Sequence, residues 1–308
     1  MFITSNNYAD FTDLIYSQTI HSDEYRLIEN NKTVVINETK NALFEATTYK
    51  LIEFEIENNT IIYCDTDQLN NLFSLLRKKD TINNIILISS QSDTPVTESL
   101  YLKKPLSIKK WYSSNVNCPK EDLIPIPLGI SNKFSKKNLT ETNLENIPNK
   151  FFIEDREIKM YVNFNENTNY KERSKLLKLF SKEDWCKVRN SNLDNATYLD
   201  DIKRYSFVLC PWGNGTETHR LWETLYLGSI PITKKHPTYD NCHDLPILFV
   251  DSYDDINLEL LKNFHKDFEN FNFDLSKLSI DYWLNDIQNN SKANDYSNEN
   301  GIVIKESK

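Results

Sequence analysis

Short, continuous apolar runs alternate with segments of helical period along most of the chain. Runs such as NNIILISS (83–90), IKMYVNF (158–164) and SFVLCP (206–211) carry apolar residues at successive positions. A strand of this kind is typically buried on both faces, as in a parallel sheet covered by helices. Helical segments such as YKERSKLLKLF (170–180) supply that cover. The sequence therefore predicts an α/β chain with parallel sheet.

The alternation is interrupted by a polar segment, SNKFSKKNLTETNLENIPNK, at 131–150. It has almost no apolar period and predicts an interdomain linker. The predicted organisation is an N-terminal α/β domain over 1–145, a second over 146–275, and a tail over 276–308 with an amphipathic helix and a polar end. Two such domains would place a ligand in the cleft between them.

Composition narrows the classes of function. The 308 residues carry a formal net charge of −9, which argues against a nucleic-acid partner and gives no support for binding an anionic membrane. No apolar stretch of about 18 residues predicts a membrane span, and the N-terminus lacks the pattern of a secretory signal. The five cysteines are odd in number, widely spaced and without a CxxC pair, which favours reduced thiols. We therefore expect a cytoplasmic protein.

The segment FVLCPWGNGTETHRLWETLYLGSIPIT (207–233) holds three of the chain's five glycines. A buried strand is followed by a loop with Gly213, Asn214, Gly215 and Thr216, and then by a helix. Glycines in such a loop permit positive φ and let backbone N–H groups approach a ligand closely. A strand, a glycine loop and a helix N-terminus in succession favour the binding of an anion, above all a phosphate.

The helix that follows carries two polar residues three positions apart, Arg220 and Glu223. Thr216 or Thr218 is its predicted N-cap, and Gly228 its predicted end. At this spacing Arg220 and Glu223 project near the same edge of the helix, so that the arginine can bind a diphosphate and the carboxylate a ribose. A surface ion pair explains the same spacing equally well.

Residues 206–232 resemble the donor-binding segment of exostosin-like glycosyltransferases, with their Phe-x-Leu-x-Pro-x-Gly, Arg-x-x-Glu and Gly-x-Ile-Pro-Val elements. Segment 239–256 is similar to the part that commonly follows. ILISSQSD, IKKWYSSNV and IPIPLGI resemble the acceptor-side half of bacterial and viral members. YVNFNENTNYKERSKLL (161–177) has a fainter similarity to fucosyltransferases.

The resemblance implies a GT-B fold, in which two Rossmann-like domains face each other across a cleft and the second holds the nucleotide-sugar. It also implies a C-terminal helix that crosses back to the first domain. On this basis Arg220 would hold the diphosphate and Glu223 the ribose, beside the close backbone of Gly213 and Gly215. His219, immediately before Arg220, departs from the family pattern.

Further candidates follow other predicted strands. Asp93 comes after the strand 85–88 and is the predicted general base of an inverting transfer, although an Asp that starts a turn before Pro95 fits the sequence as well. Trp111 and Asn115 are predicted to line the acceptor side, with a core position the alternative for Trp111.

A second strand-to-helix junction carries Asn165 and Arg173, which are predicted to contact the donor phosphate. Pairing of Arg173 with a neighbouring glutamate is the alternative. Asn165 and Arg173 thus join the glycine loop, Arg220 and Glu223 in the predicted donor site. The predicted reaction needs no cofactor beyond the nucleotide-diphosphate sugar itself.

The motif Asp65-Thr66-Asp67 resembles the metal-binding DxD of GT-A transferases. We favour the alternative, in which Asp67 caps a helix and Asp65 is solvated, because such triplets arise often among 45 acidic residues. The sequence thus predicts a metal-independent, inverting glycosyltransferase, hexosyl or pentosyl, that acts on a glycan or saccharide acceptor. A metal-dependent GT-A-like transferase and a non-catalytic sugar- or nucleotide-binding module remain as alternatives.

Overall fold

Within the residues that the structure describes, the protein contains two sheets, one of seven strands and one of five. The structure, a computed structural model, describes residues 1–28, 32–40, 45–78, 82–135, 138–144, 153 and 155–303, with the backbone alone for residues 40 and 292–303. Both sheets contain parallel strands, so the predicted α/β class is confirmed.

The first sheet has the strand order β2-β3-β1-β4-β5-β6-β7. Its strands are β1 (Leu14–His21), β2 (Thr33–Lys40), β3 (Glu45–Leu51), β4 (Ile61–Asp65), β5 (Ile85–Ser90), β6 (Ile108–Ser113) and β7 (Leu123–Pro125). The neighbouring strands β1, β4, β5, β6 and β7 pair in parallel. Strand β3 is antiparallel to both β1 and β2. The helices of this half are α1 (Ser5–Phe11), α2 (Ser22–Arg26), α3 (Leu69–Leu76) and α4 (Glu98–Tyr101).

The second sheet is parallel throughout and has the order β12-β11-β10-β8-β9. Its strands are β8 (Glu157–Val162), β9 (Cys186–Val188), β10 (Tyr205–Leu209), β11 (Ile230–Lys234) and β12 (Leu248–Val250). The remaining helices are α5 (Glu141–Leu144), α6 (Tyr170–Phe180), α7 (Asn195–Arg204), α8 (His219–Tyr226), α9 (Leu258–Asp267) and α10 (Ile280–Val303).

Elements with a strong local pattern lie where the sequence predicts them. Every residue of β5 and of β10 is buried, as expected for continuous apolar strands between helical layers. By contrast, β1 and β3 were not predicted. In β1 the buried positions include Ser17 and Gln18, so the strand shows no continuous apolar run.

The described part of the predicted linker is packed against the rest of the protein. Leu139 and Leu144 are buried, and the Asn132 side chain accepts a hydrogen bond from the backbone N–H of Asn6 at 3.0 Å. The role of this segment as an interdomain linker stays a prediction. Residues 136–137 and 145–150, with the predicted domain boundary, lie outside the described residues.

The tail helix α10 contacts the first sheet, as predicted. The Tyr112 hydroxyl donates to Asp286 at 3.1 Å, and the Lys110 ammonium donates to Asn290 at 2.6 Å. A single hydrophobic cluster also joins buried side chains of the first sheet, the second sheet and α10, among them Tyr63, Tyr112, Tyr161, Trp222 and Trp283. The two sheets are therefore packed together, and a GT-B division into two domains stays a prediction.

Candidate functional site

The candidate site lies where the loops after β5, β8 and β10 meet. A cavity of about 290 Å³, called the central cavity below, is lined by residues from all three loops. Asp93 follows β5, Asn165 and Arg173 follow β8, and Gly213 to Arg220 follow β10. Ligands of parallel α/β proteins bind outside the carboxyl ends of the strands. The structure thus brings most of the predicted site residues to one place.

The glycine loop is tight, and neighbouring side chains lie close to both of its glycines. Gly213 N–H donates to the Gly215 carbonyl at 2.9 Å. A Cβ on Gly213 would lie 3.2 Å from Nη2 of Arg173, and one on Gly215 would lie 3.2 Å from Oδ1 of Asp93. Neither glycine has a positive φ, so that part of the prediction is wrong. Both instead allow polar side chains of the cavity to approach the loop.

Helix α8 begins directly after this loop. Its N-cap is Thr218, whose side chain makes no capping hydrogen bond, and it ends as predicted before Gly228, which has a φ of +74°. Without a side-chain cap, the first N–H groups of α8 keep their capacity to bind an anion, except that of Leu221, which donates to the Thr218 carbonyl at 3.1 Å.

Arg220 and Glu223 of α8 line both the central cavity and a second cavity of about 650 Å³, called the Tyr198 cavity below. The Arg220 guanidinium donates to the Tyr198 hydroxyl at 3.1 Å and lies over the Tyr198 ring. Burial acts to lower the pKa of Arg220, but Tyr198 and Glu223 nearby raise it above its ordinary value. The arginine therefore stays charged at the junction of the two cavities.

Glu223 is buried and held by two hydrogen bonds. Its Oε1 accepts from the backbone N–H of Leu139 at 3.2 Å, and its Oε2 accepts from the Tyr198 hydroxyl at 2.7 Å. Among the described ion pairs there is none between Arg220 and Glu223, so these residues are not the surface pair that the spacing also allowed. Each carboxylate oxygen keeps further acceptor capacity toward the Tyr198 cavity.

Arg173 is buried and binds only uncharged oxygens within the described part of the chain. Its guanidinium donates to the Trp212 and Pro211 carbonyls at 2.8 Å each, to the Asn165 carbonyl at 2.9 Å and to the Thr168 hydroxyl at 2.6 Å. Burial and the nearby charge of Arg220 lower the pKa of Arg173 to about 10. The alternative pairing with a glutamate does not occur among these contacts.

Asp93 lies at the border of the central cavity and a third cavity of about 250 Å³, called the outer cavity below. It is exposed, and its Oδ2 accepts a hydrogen bond from the Asn214 amide at 3.3 Å. His219 and Leu128 line the same two cavities. Sequence reasoning noticed His219 only as a departure from a motif and assigned it no role.

Asn115 and Glu217 form a reciprocal link between the two halves of the chain. The backbone N–H of Glu217 donates to the Asn115 side chain at 2.8 Å, and the backbone N–H of Asn115 donates to Glu217 Oε2 at 3.4 Å. Glu217 Oε1 also accepts from Leu128 N–H at 2.9 Å and from Trp222 Nε1 at 3.0 Å. Burial raises the pKa of Glu217 to about 7.

This link corrects one prediction and adds one residue. Asn115 is buried with a φ of +53°, so its side chain fastens the glycine loop rather than facing an acceptor. Glu217 was missed. The available signal was an acidic residue just before α8. The hydrogen-bond partners of Glu217 lie about a hundred residues away, however, and cannot be seen in the local sequence pattern.

Trp111 is a core residue, and its predicted place on the acceptor side is wrong. It lies in β6 and is fully buried. Its ring packs edge-on against Phe73, with ring centroids 5.5 Å apart, and its Nε1 donates to the Ser89 hydroxyl at 2.8 Å. A sugar could not reach this ring without displacing α3.

The two carboxylates of the DxD motif both have partners in the protein. Asp65 caps the turn after β4 by accepting from the Asp67 backbone N–H at 3.0 Å, and burial raises its pKa to about 7. Asp67 accepts from the hydroxyls of Ser92 and Thr94. The prediction of a solvated Asp65 and a capping Asp67 is therefore wrong in detail. Within the described residues, no group of three or more metal-binding side chains is found.

The other predicted donor residues have structural contacts as well. The Asn165 side chain accepts from the Asn167 backbone N–H at 3.0 Å and so caps the turn before α6. Thr216 does not line the central cavity, and its carbonyl accepts from the Tyr239 hydroxyl at 3.1 Å.

Among the described helices, none is both long enough and apolar enough to cross a bilayer.

Comparison with known proteins gives one family match. Residues 158–271 match the RXYLT1 C-terminal domain, a family related to glycosyltransferases. This segment contains Arg173, Arg220 and Glu223 but not Asp93. A search among curated proteins found no match.

A likeness to a solved structure was also found. An alpha-glucosyltransferase in complex with UDP-glucose and DNA containing an abasic site is 12% identical, with 71% of this chain and 74% of that chain covered and a TM-score of 0.33. A TM-score that low carries no inference, so the fold rests on the strands and helices described above.

Proposed function

We propose that the chain is a glycosyltransferase that moves a sugar from a nucleotide-diphosphate sugar, such as a UDP-sugar, to a saccharide acceptor. We further propose that the transfer inverts the anomeric centre and needs no metal ion. The family match of residues 158–271 supports the transferase class. The resemblance of residues 206–232 to exostosin-like enzymes supports a GT-B arrangement with the donor on the second sheet.

The observation that carries this proposal is the pair of arginines at the central cavity. In the described part of the chain, neither Arg173 nor Arg220 has a carboxylate at ion-pair distance, although Arg173 is buried. Removing a cation from water without an anionic partner costs several kcal/mol. A diphosphate between the two guanidinium groups would offset this cost through charge-assisted hydrogen bonds, each contributing about 1.5–3 kcal/mol.

The Tyr198 cavity has the size and chemistry for the nucleoside of the donor. Its lining includes Asn163, the segment 191–195, Tyr198 and Glu223. These residues offer amides, hydroxyls, backbone groups and two carboxylates, of Asp194 and Glu223, which can bind a base and a ribose by hydrogen bonds. Arg220 lies between this cavity and the central cavity, at the place where a diphosphate would join the nucleoside to the sugar.

In the proposed reaction an acceptor hydroxyl attacks the anomeric carbon while the bond to the diphosphate breaks. Negative charge then develops on the leaving diphosphate. Arg220 and the uncapped N-terminus of α8 would stabilise that charge where it appears. The acceptor would enter through the outer cavity, whose described lining is composed mainly of uncharged polar side chains and Phe134. Asp93, between the outer and central cavities, remains a candidate for the general base.

The test is the release of free nucleotide from a panel of UDP- and GDP-sugars, measured with methyl glycosides as acceptors and with or without EDTA. We expect release with at least one donor and the same rate in EDTA. Release that disappears in EDTA would instead support the GT-A-like alternative, and Asp65→Asn would then be the variant to examine. Tight UDP binding without any release would support a non-catalytic binding module.

A cytoplasmic location also remains our proposal. The five cysteines are all unpaired, and Cys64, Cys210 and Cys242 are buried. Free thiols in this number are typical of proteins in a reducing compartment. Labelling of the thiols in freshly isolated protein, before any reductant is added, would show five reactive groups after denaturation if this is correct.

A further inference from the structure

His219 occupies the position between the two cavities that the acceptor and the donor sugar would fill. It is the first residue of α8, is partly buried, and lines both the outer and the central cavity. Its neighbour Arg220 faces the proposed diphosphate. The bond between donor sugar and diphosphate would therefore lie one residue away from an imidazole.

The hydrogen bond of His219 fixes which ring nitrogen carries the proton. Nδ1 lies 2.9 Å from the carbonyl oxygen of Gly129. A carbonyl oxygen only accepts, so Nδ1 must carry the hydrogen and donate it. In the neutral ring Nε2 is then the nitrogen with a free lone pair. No described residue makes a hydrogen bond to Nε2 of His219.

The carbonyl that orients the ring is itself rigidly held. Gly129 has a φ of +75°, and a Cβ at this position would collide with the backbone of Ile3. The next residue, Ile130, donates its N–H to the Ile3 carbonyl at 2.9 Å, and the Ile3 N–H donates to the Tyr226 hydroxyl of α8 at 3.0 Å. Gly129 is thus connected to α8 in two ways, directly through His219 and through Ile3 to Tyr226. These contacts hold the imidazole ring in its orientation toward the cavities.

We propose that His219 is the general base of the transfer, a role that rests on the proposed function and replaces Asp93 in it. Nε2 takes the proton of the acceptor hydroxyl, and the oxygen forms a bond to the anomeric carbon. The bond from that carbon to the diphosphate oxygen breaks, and the diphosphate leaves with the electron pair. The proton stays on the imidazolium until it passes to water, so that charge and atoms balance.

Asp93 fits a different role in the same pair of cavities. It is exposed, and the amide of Asn214 already donates to its Oδ2. A carboxylate in this position can accept a hydrogen bond from a second hydroxyl of the acceptor and so orient the sugar. We therefore expect Asp93→Asn to raise the KM for the acceptor more than it lowers kcat.

The test uses His219→Asn, because the asparagine amide can still donate to the Gly129 carbonyl while the base at Nε2 is lost. The readouts are kcat for nucleotide release with methyl glycosides and UDP affinity by calorimetry. We expect kcat to fall by about 10²–10⁴-fold, with UDP affinity within about threefold of wild type. His243→Asn, an exposed histidine outside the three cavities, is the matched control and should leave both values unchanged.

A second variant covers the case in which His219→Asn disturbs the fold. His219→Ala removes the whole ring. If the ring acts as a base, added imidazole should raise the transfer rate of this variant at least about tenfold. His219→Ala that binds UDP but gains nothing from imidazole would overturn the role, as would His219→Asn with undiminished kcat. If the wild-type chain releases no nucleotide from any donor, the proposed function itself is refuted, and the role of His219 falls with it.

Discussion

Replacing Glu217 with glutamine probes the link that fastens the glycine loop to the first sheet. Burial raises the pKa of Glu217 from its ordinary value of 4.5 to about 7, so the folded state favours the neutral carboxyl. The contribution of the neutral Glu217 carboxyl to the free energy of unfolding is complete below about pH 4.5. It is lost as the pH rises through about 7. A displacement of this size corresponds to roughly 3 kcal/mol between those limits.

The measurement is the free energy of unfolding by urea at several pH values from about 4.5 to about 8. Relative to Glu217→Gln, whose side chain does not titrate, the wild type should lose roughly 3 kcal/mol across this range. Other titrating groups, including Asp65, contribute equally to both proteins and cancel in the difference. Glu98→Gln, at an exposed carboxylate, is the control and should show almost no such change. If the free energy of unfolding varied with pH in the same way for wild type and Glu217→Gln, a buried Glu217 carboxyl with a raised pKa would be refuted.

Three further variants test the site and the core. Arg220→Gln should weaken UDP binding about 10–100-fold in calorimetry. The control is Arg204→Gln, at an exposed arginine paired with a glutamate, which should leave UDP binding unchanged. Equal effects of the two substitutions would show that only the general loss of positive charge matters. Gly215→Ala should lower the transfer rate by about tenfold or more, because its methyl group would lie 3.2 Å from Asp93 Oδ1; a normal rate would mean that the loop yields without effect. Trp111→Ala should destabilise the protein by about 3–5 kcal/mol in urea unfolding without changing the acceptor KM, and a raised KM with normal stability would return Trp111 to the acceptor side.

Local patterns were enough to predict much of the second sheet and its helices. Helix α6 occupies the predicted residues 170–180, and Gly228 ends α8 as predicted. These elements are specified by neighbours within one or two turns: continuous apolar runs, helical period and a residue that tolerates positive φ. Arg220 could be singled out for the same reason, since its place after a strand, a glycine loop and a helix start is visible in a short stretch.

Contacts between distant segments account for the predictions that were wrong. Trp111 and Asn115 were predicted to line the acceptor side. The first is instead enclosed by α3, and the second binds Glu217, a hundred residues later. Asp65 is buried because β1 lies beside β4, where the Thr19 hydroxyl of β1 contacts its Oδ2, and β1 itself gave no apolar signal.

The sequence by itself thus determined the α/β class, the strand-loop-helix segment and the presence of Arg220 and Glu223 on one helix edge. Only the tertiary structure showed that Arg173 has no acidic partner among the described residues, that Glu217 joins the two halves, and that the Gly129 carbonyl sets the tautomer of His219. Local structure follows from residues a few positions apart. The charge balance and the proton position of a buried group depend on which distant backbone is folded against it.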